Sequence, residues 1–353
     1  MTKDRILFLR YATAALPPLV LLLLETLAAG PWGVLALIHL TVFAALLDKW
    51  LAPPLSRDSI EAPSLWPDRL SAVLALGHLI LLPCIIVFLA SPAHGFGEKL
   101  VAFLAAASFM GQVSHPNAHE LIHRRTTALR RLGAAVYTSM LFGHHVSAHR
   151  LVHHRHVGTI QDPNTPLSGE SFWAYLPRAS LGSFRAGLAE EVQKLARRGA
   201  PAYHPSNPYF IWITGGAATL ILALILGGFW GGVAMLGLAA LTHIQIMLSD
   251  YIQHYGLFRM ERADGRLEAV GPHHSWNAPR GFSSYLMLNA PSHSDHHMHP
   301  DRPYDSLSVG RDEPVLPFSM PIMAVMATIP PLWHRNMDKR AARVMAAAQA
   351  HLA

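Results

Sequence analysis

Six separate stretches of this chain are apolar for roughly the 20 residues that a helix needs to cross a bilayer. They lie at about 11–29, 33–47, 70–90, 100–118, 209–228 and 232–250. A soluble domain of 353 residues has no core that could bury six such helices. In hydrocarbon, backbone polar groups must be satisfied within the protein, which leaves helices or closed barrels. Runs this long without polar alternation specify helices, so the expected fold is an all-α membrane protein with six transmembrane helices. Composition points the same way: 51% is hydrophobic and only 14% is charged, against roughly 25% charged in ordinary soluble domains. The mean hydropathy of +0.26 also excludes a disordered chain. Pro17, Pro18 and Glu25 lie inside the first stretch, which predicts a kink and a face turned towards protein.

Orientation follows from the placement of Lys and Arg. Lys3, Arg5 and Arg10 precede the first stretch, and Lys49, Arg57 and Arg69 fall between the second and third. Eleven more lie in 124–198 and ten after residue 250, whereas the alternate turns hold only Lys99. Both termini are therefore expected in the cytoplasm, with a cytoplasmic insert at 119–208 and a cytoplasmic tail at 251–353. The whole chain, 1–353, reads as a single membrane domain. The net charge of +6 is explained by topology and anionic headgroups, and no nucleic-acid motif competes with that reading. Helices are expected at 127–143 and 178–198 in the insert and over the Ala-rich 340–350. Prolines 317, 321, 330 and 331 make 315–333 a poor span and a better interfacial segment.

A single cysteine, Cys84, rules out an internal disulfide and a thiolate-held metal, yet there are 23 histidines. Many fall in clusters just beyond the span ends. His119 and His123 stand at i and i+4, a spacing that places two imidazoles on one helical face. His149 and His153 repeat it, with His154 adjacent. His254 follows the sixth stretch, and His293, His296 and His297 form a compact i, i+3, i+4 set. Nine imidazoles are too many for one ion and suit two, shared about five to four. His39 and His78, inside spans, are expected to satisfy a backbone carbonyl or a water instead. Glu120-x-x-His123 is the only Glu-x-x-His in the chain, so the site is nitrogen-rich and its spacing does not name the metal.

These residues form an ordered set. Asn117-Ala118-His119-Glu120 through His123, then His149–His154 with Gln161-Asp162-Pro163, precede Tyr251-Ile252-Gln253-His254-Tyr255-Gly256-Leu257. His274-Ser275-Trp276-Asn277, His293 through Pro300, Ile329-Pro330 through Trp333, and Met337-Asp338 follow. Over about residues 100–340 the chain resembles the bacterial integral-membrane alkane monooxygenases, within the broader desaturase–hydroxylase superfamily. That resemblance implies six membrane helices under a cytoplasmic histidine-rich di-iron cap, in the inner (cytoplasmic) membrane. It implies two iron ions held by the nine histidines, dioxygen as co-substrate, and electrons from rubredoxin and its reductase. It also implies terminal hydroxylation of an alkane or related hydrophobic chain drawn from the bilayer.

Three positions depart from the family pattern. Ala148 and Gln253 stand where acidic residues are usual, and Asp250 stands where Asn is usual. The remaining carboxylates expected to orient imidazoles or act in the site are Asp295, Glu120 and Asp250, with Asp162 beside them. Asp250 in particular lies four residues before His254 and is expected to hold it. His144, His145 and His156 flank the second box as competing ligands. The alternatives are a desaturase or alkene-forming fatty-acid decarboxylase on the same scaffold, and a membrane zinc protease using His119, Glu120 and His123. Arg124, Arg125, Arg150 and Arg155 are expected to face the acidic electron donor.

Overall fold

The computed structural model describes residues 3–28, 30–51, 65–262, 264–279 and 281–352; Arg57 lies outside them. Each expected apolar stretch is helical over its described residues, the first as far as Leu27; residue 29 lies outside them. Helix α1 spans Lys3–Leu27, α2 Trp32–Leu47, α3 Trp66–Ala90 and α4 96–123. The insert carries α5 (Thr127–Ser139), α6 (145–156) and α7 (Phe172–Ala196). Helix α8 runs over Pro208–His254 and takes in both of the last two stretches. The tail adds α9 (Gly281–Leu286), α10 (His293–Met298), α11 (Met320–Ala327) and α12 (Pro330–Leu352). Among the described residues there is no sheet, only isolated bridges at Glu261–Leu267 and Asn277–Val315.

Three of these helices, Asp4–Leu27, Trp66–Ala90 and Pro208–His254, are long and apolar enough to cross a membrane. Helix α8 is not one rod. Gly228 takes φ 58°, ψ −150°, which an L side chain rarely adopts. Residues 223 and 231 would stand about 12 Å apart along a straight helix. Here a Cβ on Gly231 would lie 2.2 Å from the Ala223 carbonyl, so the chain doubles back at 228. Each limb keeps an apolar exterior: Ile211, Ile213, Ile225, Phe229 and Trp230 are all exposed.

Helix α1 continues through Pro17 and Pro18. Near its end the buried Glu25 carboxylate accepts the Gly33 N–H at 2.8 Å, tying α1 to α2 and turning Glu25 towards protein as expected. His39 bonds a backbone carbonyl as expected, whereas His78 takes side-chain hydroxyls instead of a carbonyl or water. His39 Nε2 donates to the Ala14 carbonyl (2.9 Å), and His78 lies between the hydroxyls of Ser114 and Ser139 at 3.0 Å each. Tyr11, Trp66, Tyr285 and Tyr304 meet edge-on and tilted, joining α1 and α3 to the tail.

The insert differs from expectation in its boundaries. Helix α5 stops at Ser139, short of 143, because Leu141 turns into the left-handed region at φ 59°. Helix α7 begins at Phe172, six residues early, because Ser171 Oγ caps it by accepting the Ala174 N–H. In the tail, Pro321 and Pro330 occupy first turns, where a missing N–H costs nothing, so 315–333 holds all of α11 and the first turn of α12.

Candidate metal centre

Helix α4 carries the first histidine pair without interruption from its apolar half, through a wide π turn at Met110–Ser114. Helix α6 carries the second set, and its middle, His149–His153, is again a π turn. His254 ends α8, and α10 carries the last three. All nine side chains meet in one place, as two groups. His119, His123, His149, His154 and His296 form one; His153, His254, His293 and His297 form the other. Within each group the ligand atoms lie within 4.8 Å of one another. The groups are neighbours: the His154 and His297 rings are 4.6 Å apart between centroids.

The division corrects the expected pairing in the second box. His149 and His153 do not share a cluster; His149 and His154 do, while His153 serves the other. An i→i+5 turn brings residue i+5, rather than i+4, back over residue i. In α10, His293 and His297 stay together and His296 turns to the larger group. His144, His145 and His156 belong to neither group. His144 packs edge-on against Phe142 and Phe184, and His145 stacks on Phe142.

The tautomers of two imidazoles indicate what the cluster would hold. His153 Nδ1 donates to Asp162 Oδ2 at 2.8 Å, and His254 Nδ1 donates to the His274 carbonyl at 3.2 Å. Each Nδ1 therefore carries the ring proton and each Nε2 is a bare lone pair. His153 Nε2 is buried with no hydrogen-bond partner, and His254 Nε2 stands 3.1 Å from His293 Nε2. The same convergence recurs across the larger group, with Nε2–Nε2 separations of 2.8 Å (His119–His149), 2.9 Å (His149–His154) and 3.2 Å (His154–His296). Ring nitrogens gathered this closely in a buried pocket fit a cation, and an all-imidazole set fits iron as well as other first-row metals.

The carboxylates are not where adjacency in sequence suggested. Glu120 turns away from the cluster and accepts from Arg124 Nη2 (2.5 Å) and from the Tyr304 N–H (3.0 Å). Asp295 accepts from Arg302 Nη1 (2.6 Å), His299 Nδ1 (2.8 Å) and the Ser308 N–H (3.0 Å). Both therefore tie segment 299–308 to the ligand-bearing helices α4 and α10. With Glu120 so engaged, the geometry of a zinc protease, in which that glutamate faces a metal-bound water, is absent. Asp250 Oδ2 accepts from Asn164 Nδ2 at 2.6 Å, while His254 is held by a backbone carbonyl, so Asp250 does not replace the glutamate missing at 253.

Asp162 is the carboxylate that reaches a cluster histidine. Burial pushes its pKa up, but His153, the Thr165 hydroxyl and the Asn164 N–H outweigh burial and hold it below the usual carboxylate range. An ionised Asp162 fixes the His153 tautomer and raises its basicity. Asp162→Asn is expected to weaken metal binding by roughly 10–100-fold, checked by metal titration of the apo protein.

His274-Ser275-Trp276-Asn277 knots two ligand-bearing helices together. The Trp276 N–H donates to the Gln253 carbonyl (2.7 Å), and its indole N–H to the Tyr255 carbonyl (3.0 Å). Asn277 exchanges hydrogen bonds with Ser294, beside His293 (3.0 Å and 2.7 Å). Sequence reading noticed this segment but not its partners, since a loop leaves no periodic signal.

A small polar pocket lies against His119 and His293, lined also by His115, Ser249, Asp250 and Gln253. Ser249 also lines a second, apolar cavity of about 650 Å³ between α2, α4, α8 and α11. Leu40, Val42, Leu248, Ile252, Met320 and Val325 form much of its wall.

An all-helical bundle with long apolar helices and two abutting imidazole clusters at their ends defines a membrane metal-centre protein. Residues 99–318 match the fatty acid desaturase family, and the chain belongs to that family. It is 32% identical over 259 residues to alkane 1-monooxygenase 1 of Pseudomonas aeruginosa, covering 72% of this chain and 66% of that relative. Alkane 1-monooxygenase 2 of the same organism is 28% identical over 319 residues, covering 88% and 84%. The hydroxylase component of a xylene/toluene monooxygenase from Pseudomonas putida is 29% identical over 244 residues, covering 67% and 62%. The chain thus spans slightly less than two thirds of the length of the first and third of these relatives.

Proposed function

We propose that this protein is an oxygen-dependent, non-haem di-iron monooxygenase that hydroxylates the terminal C–H of alkanes or related hydrophobic chains. The observation that carries this reading is that Ser249 borders both the apolar cavity and the small pocket lined by His119 and His293. In this reading six helical limbs cross the inner membrane with both termini in the cytoplasm. The four-histidine and five-histidine groups each hold one iron. When bound, the iron pair supplies dioxygen activation and the oxidising power to attack an unactivated C–H bond.

The chain's own residues bind, orient and exclude water. A hydrocarbon dissolved in the bilayer needs no aqueous route, and the cavity wall of α2 and α11 offers it apolar contacts. The pocket against His119 and His293 is much smaller than the apolar cavity, which favours presentation of a chain end and attack at the terminus. The segment 299–308, held by Glu120 and Asp295, covers the cytoplasmic side and keeps water out. Asp162 holds His153 in the Nδ1–H tautomer.

The test is incubation of the reduced, iron-loaded protein with dioxygen, rubredoxin and its reductase, and a panel of hydrocarbons and fatty acids. Primary alcohols by mass spectrometry are the expected products. Alkenes would instead place the chain with the desaturases or decarboxylases.

The proposed donor surface is narrower than the four arginines suggested. Arg124 is buried between Asp68 and Glu120, Arg125 pairs with Asp301 (2.6 Å), and Arg155 pairs with Glu190 (3.1 Å). Arg150 makes no such pair among the described residues and lines a cavity of about 360 Å³ with Arg130, Arg131, Arg198 and the Lys194–Glu191 pair (3.0 Å). Rubredoxin-driven turnover is expected to fall several-fold as salt rises, and more steeply for wild type than for Arg150→Gln. Identical salt curves for both would remove Arg150 from the docking surface.

A further inference from the structure

Outside the two clusters, Glu268, His273 and His274 bring three further ligand-type atoms within 4.8 Å of one another. The hydrogen bonds around His274 decide against a third metal. His274 Nδ1 accepts the Gly271 N–H at 2.8 Å, so its proton sits on Nε2. That Nε2–H donates to Glu268 Oε1 at 2.9 Å, leaving no lone pair for an ion. Glu268 is itself anchored: Oε1 accepts the Met260 N–H (2.9 Å), and its carbonyl accepts Arg259 Nε (2.6 Å). His273 Nε2 lies 3.3 Å from the other carboxylate oxygen. The His274 ring is fully buried and gripped at both nitrogens, and its peptide carbonyl is the acceptor for His254 Nδ1.

We propose that Glu268 is the positioning residue for His254. Through the ring of His274 it fixes the carbonyl that sets the tautomer and direction of that ligand. The proposal rests on the dinuclear reading above and goes beyond it in assigning an outer partner to the four-histidine site. The two halves of that site are held differently. His153 has an ionised carboxylate, whereas His254 has only a neutral carbonyl, a weaker acceptor at 3.2 Å. A weak acceptor orients an imidazole only if it cannot move, and Glu268 supplies that rigidity from one side. The Trp276 hydrogen bonds to the backbone of 253 and 255 supply it from the other. Gln253 is not available for the task, since its side chain accepts from Ser249 Oγ and donates to the Ala290 carbonyl.

The experiment is an anaerobic titration of full-length apo protein with ⁵⁷Fe(II), followed by metal analysis and Mössbauer spectroscopy, for wild type, Glu268→Ala and Glu268→Gln. In Glu268→Ala one iron is expected to bind as in wild type and the other roughly 10–100-fold more weakly, the range for loss of an outer-shell partner. The spectrum at low loading should then report one site. Glu268→Gln keeps an oxygen acceptor for the His274 and Met260 N–H groups and should restore most of the second site. Should Glu268→Ala fail to fold, Glu268→Asp carries the test, since its carboxylate stops one methylene short of His274. Two irons held in the alanine variant with wild-type affinity would overturn the proposal. So would equal weakening of both sites, a glutamine variant no better than alanine, or a third equivalent in wild type that vanishes with Glu268. Wild type that takes up no iron overturns the dinuclear reading itself, a result distinct from all of these.

Discussion

His254→Ala is expected to cost the protein about one iron per chain and to reduce turnover to background. The four-histidine group would be left with three imidazoles, one of them His153, whose orientation is set from elsewhere. Three protein ligands hold a catalytic metal only when geometry is preserved. Here the vacated corner is the one that joins α8 to α10, where His254 Nε2 faces His293 Nε2 at 3.1 Å. His123→Ala makes the contrast. It leaves its group with four imidazoles, the full complement of a closed site, so that iron should be retained with altered spectroscopy. Metal analysis of the two purified variants checks both statements. Equal iron loss in the two would contradict the five-and-four division.

Ser249→Phe is expected to leave iron content unchanged and to abolish turnover of long chains. The serine borders both the apolar cavity and the pocket against His119 and His293. A phenyl ring at that junction would obstruct passage between the two while leaving all nine histidines in place. Loss of roughly 10–200-fold is the range that misfit by a single methylene already produces, and a phenyl is a larger obstacle. Ser249→Ala removes only the hydrogen bond to Gln253 Oε1 (2.9 Å) and should keep near wild-type turnover. The readout is turnover against substrate length at constant iron loading. A phenylalanine variant that still processes long chains at the wild-type rate would place the route elsewhere.

Hydropathy made the apolar helices legible because a bilayer-length apolar run has few other folded solutions. The fold at Gly228 was legible too, as a short break between two apolar stretches. Histidine spacing made it legible that the nine imidazoles would gather, since i, i+4 neighbours share a helical face, as His119 with His123 and His293 with His297 do; the His149–His153 pair, split by its π turn, was not legible. Boundaries in the insert were not legible, because a positive-φ Leu141 and a Ser171 cap decide them locally.

The sequence by itself determined that this chain is helical, apolar enough for a membrane, and supplied with nine histidines in metal-compatible sets. It did so because helical period and chain-length apolarity are local properties. Only the tertiary structure decided which histidine serves which group, because the π turn at His149–His153 changes the register by one residue and nothing in residue type announces it. Only the tertiary structure decided the carboxylates as well. Glu120 and Asp295 are neighbours of ligands in sequence, but on a helix adjacent residues point about 100° apart, so neither faces the cluster. Asp162 and Glu268 lie on loops, and what they touch is fixed by packing between segments far apart in the chain.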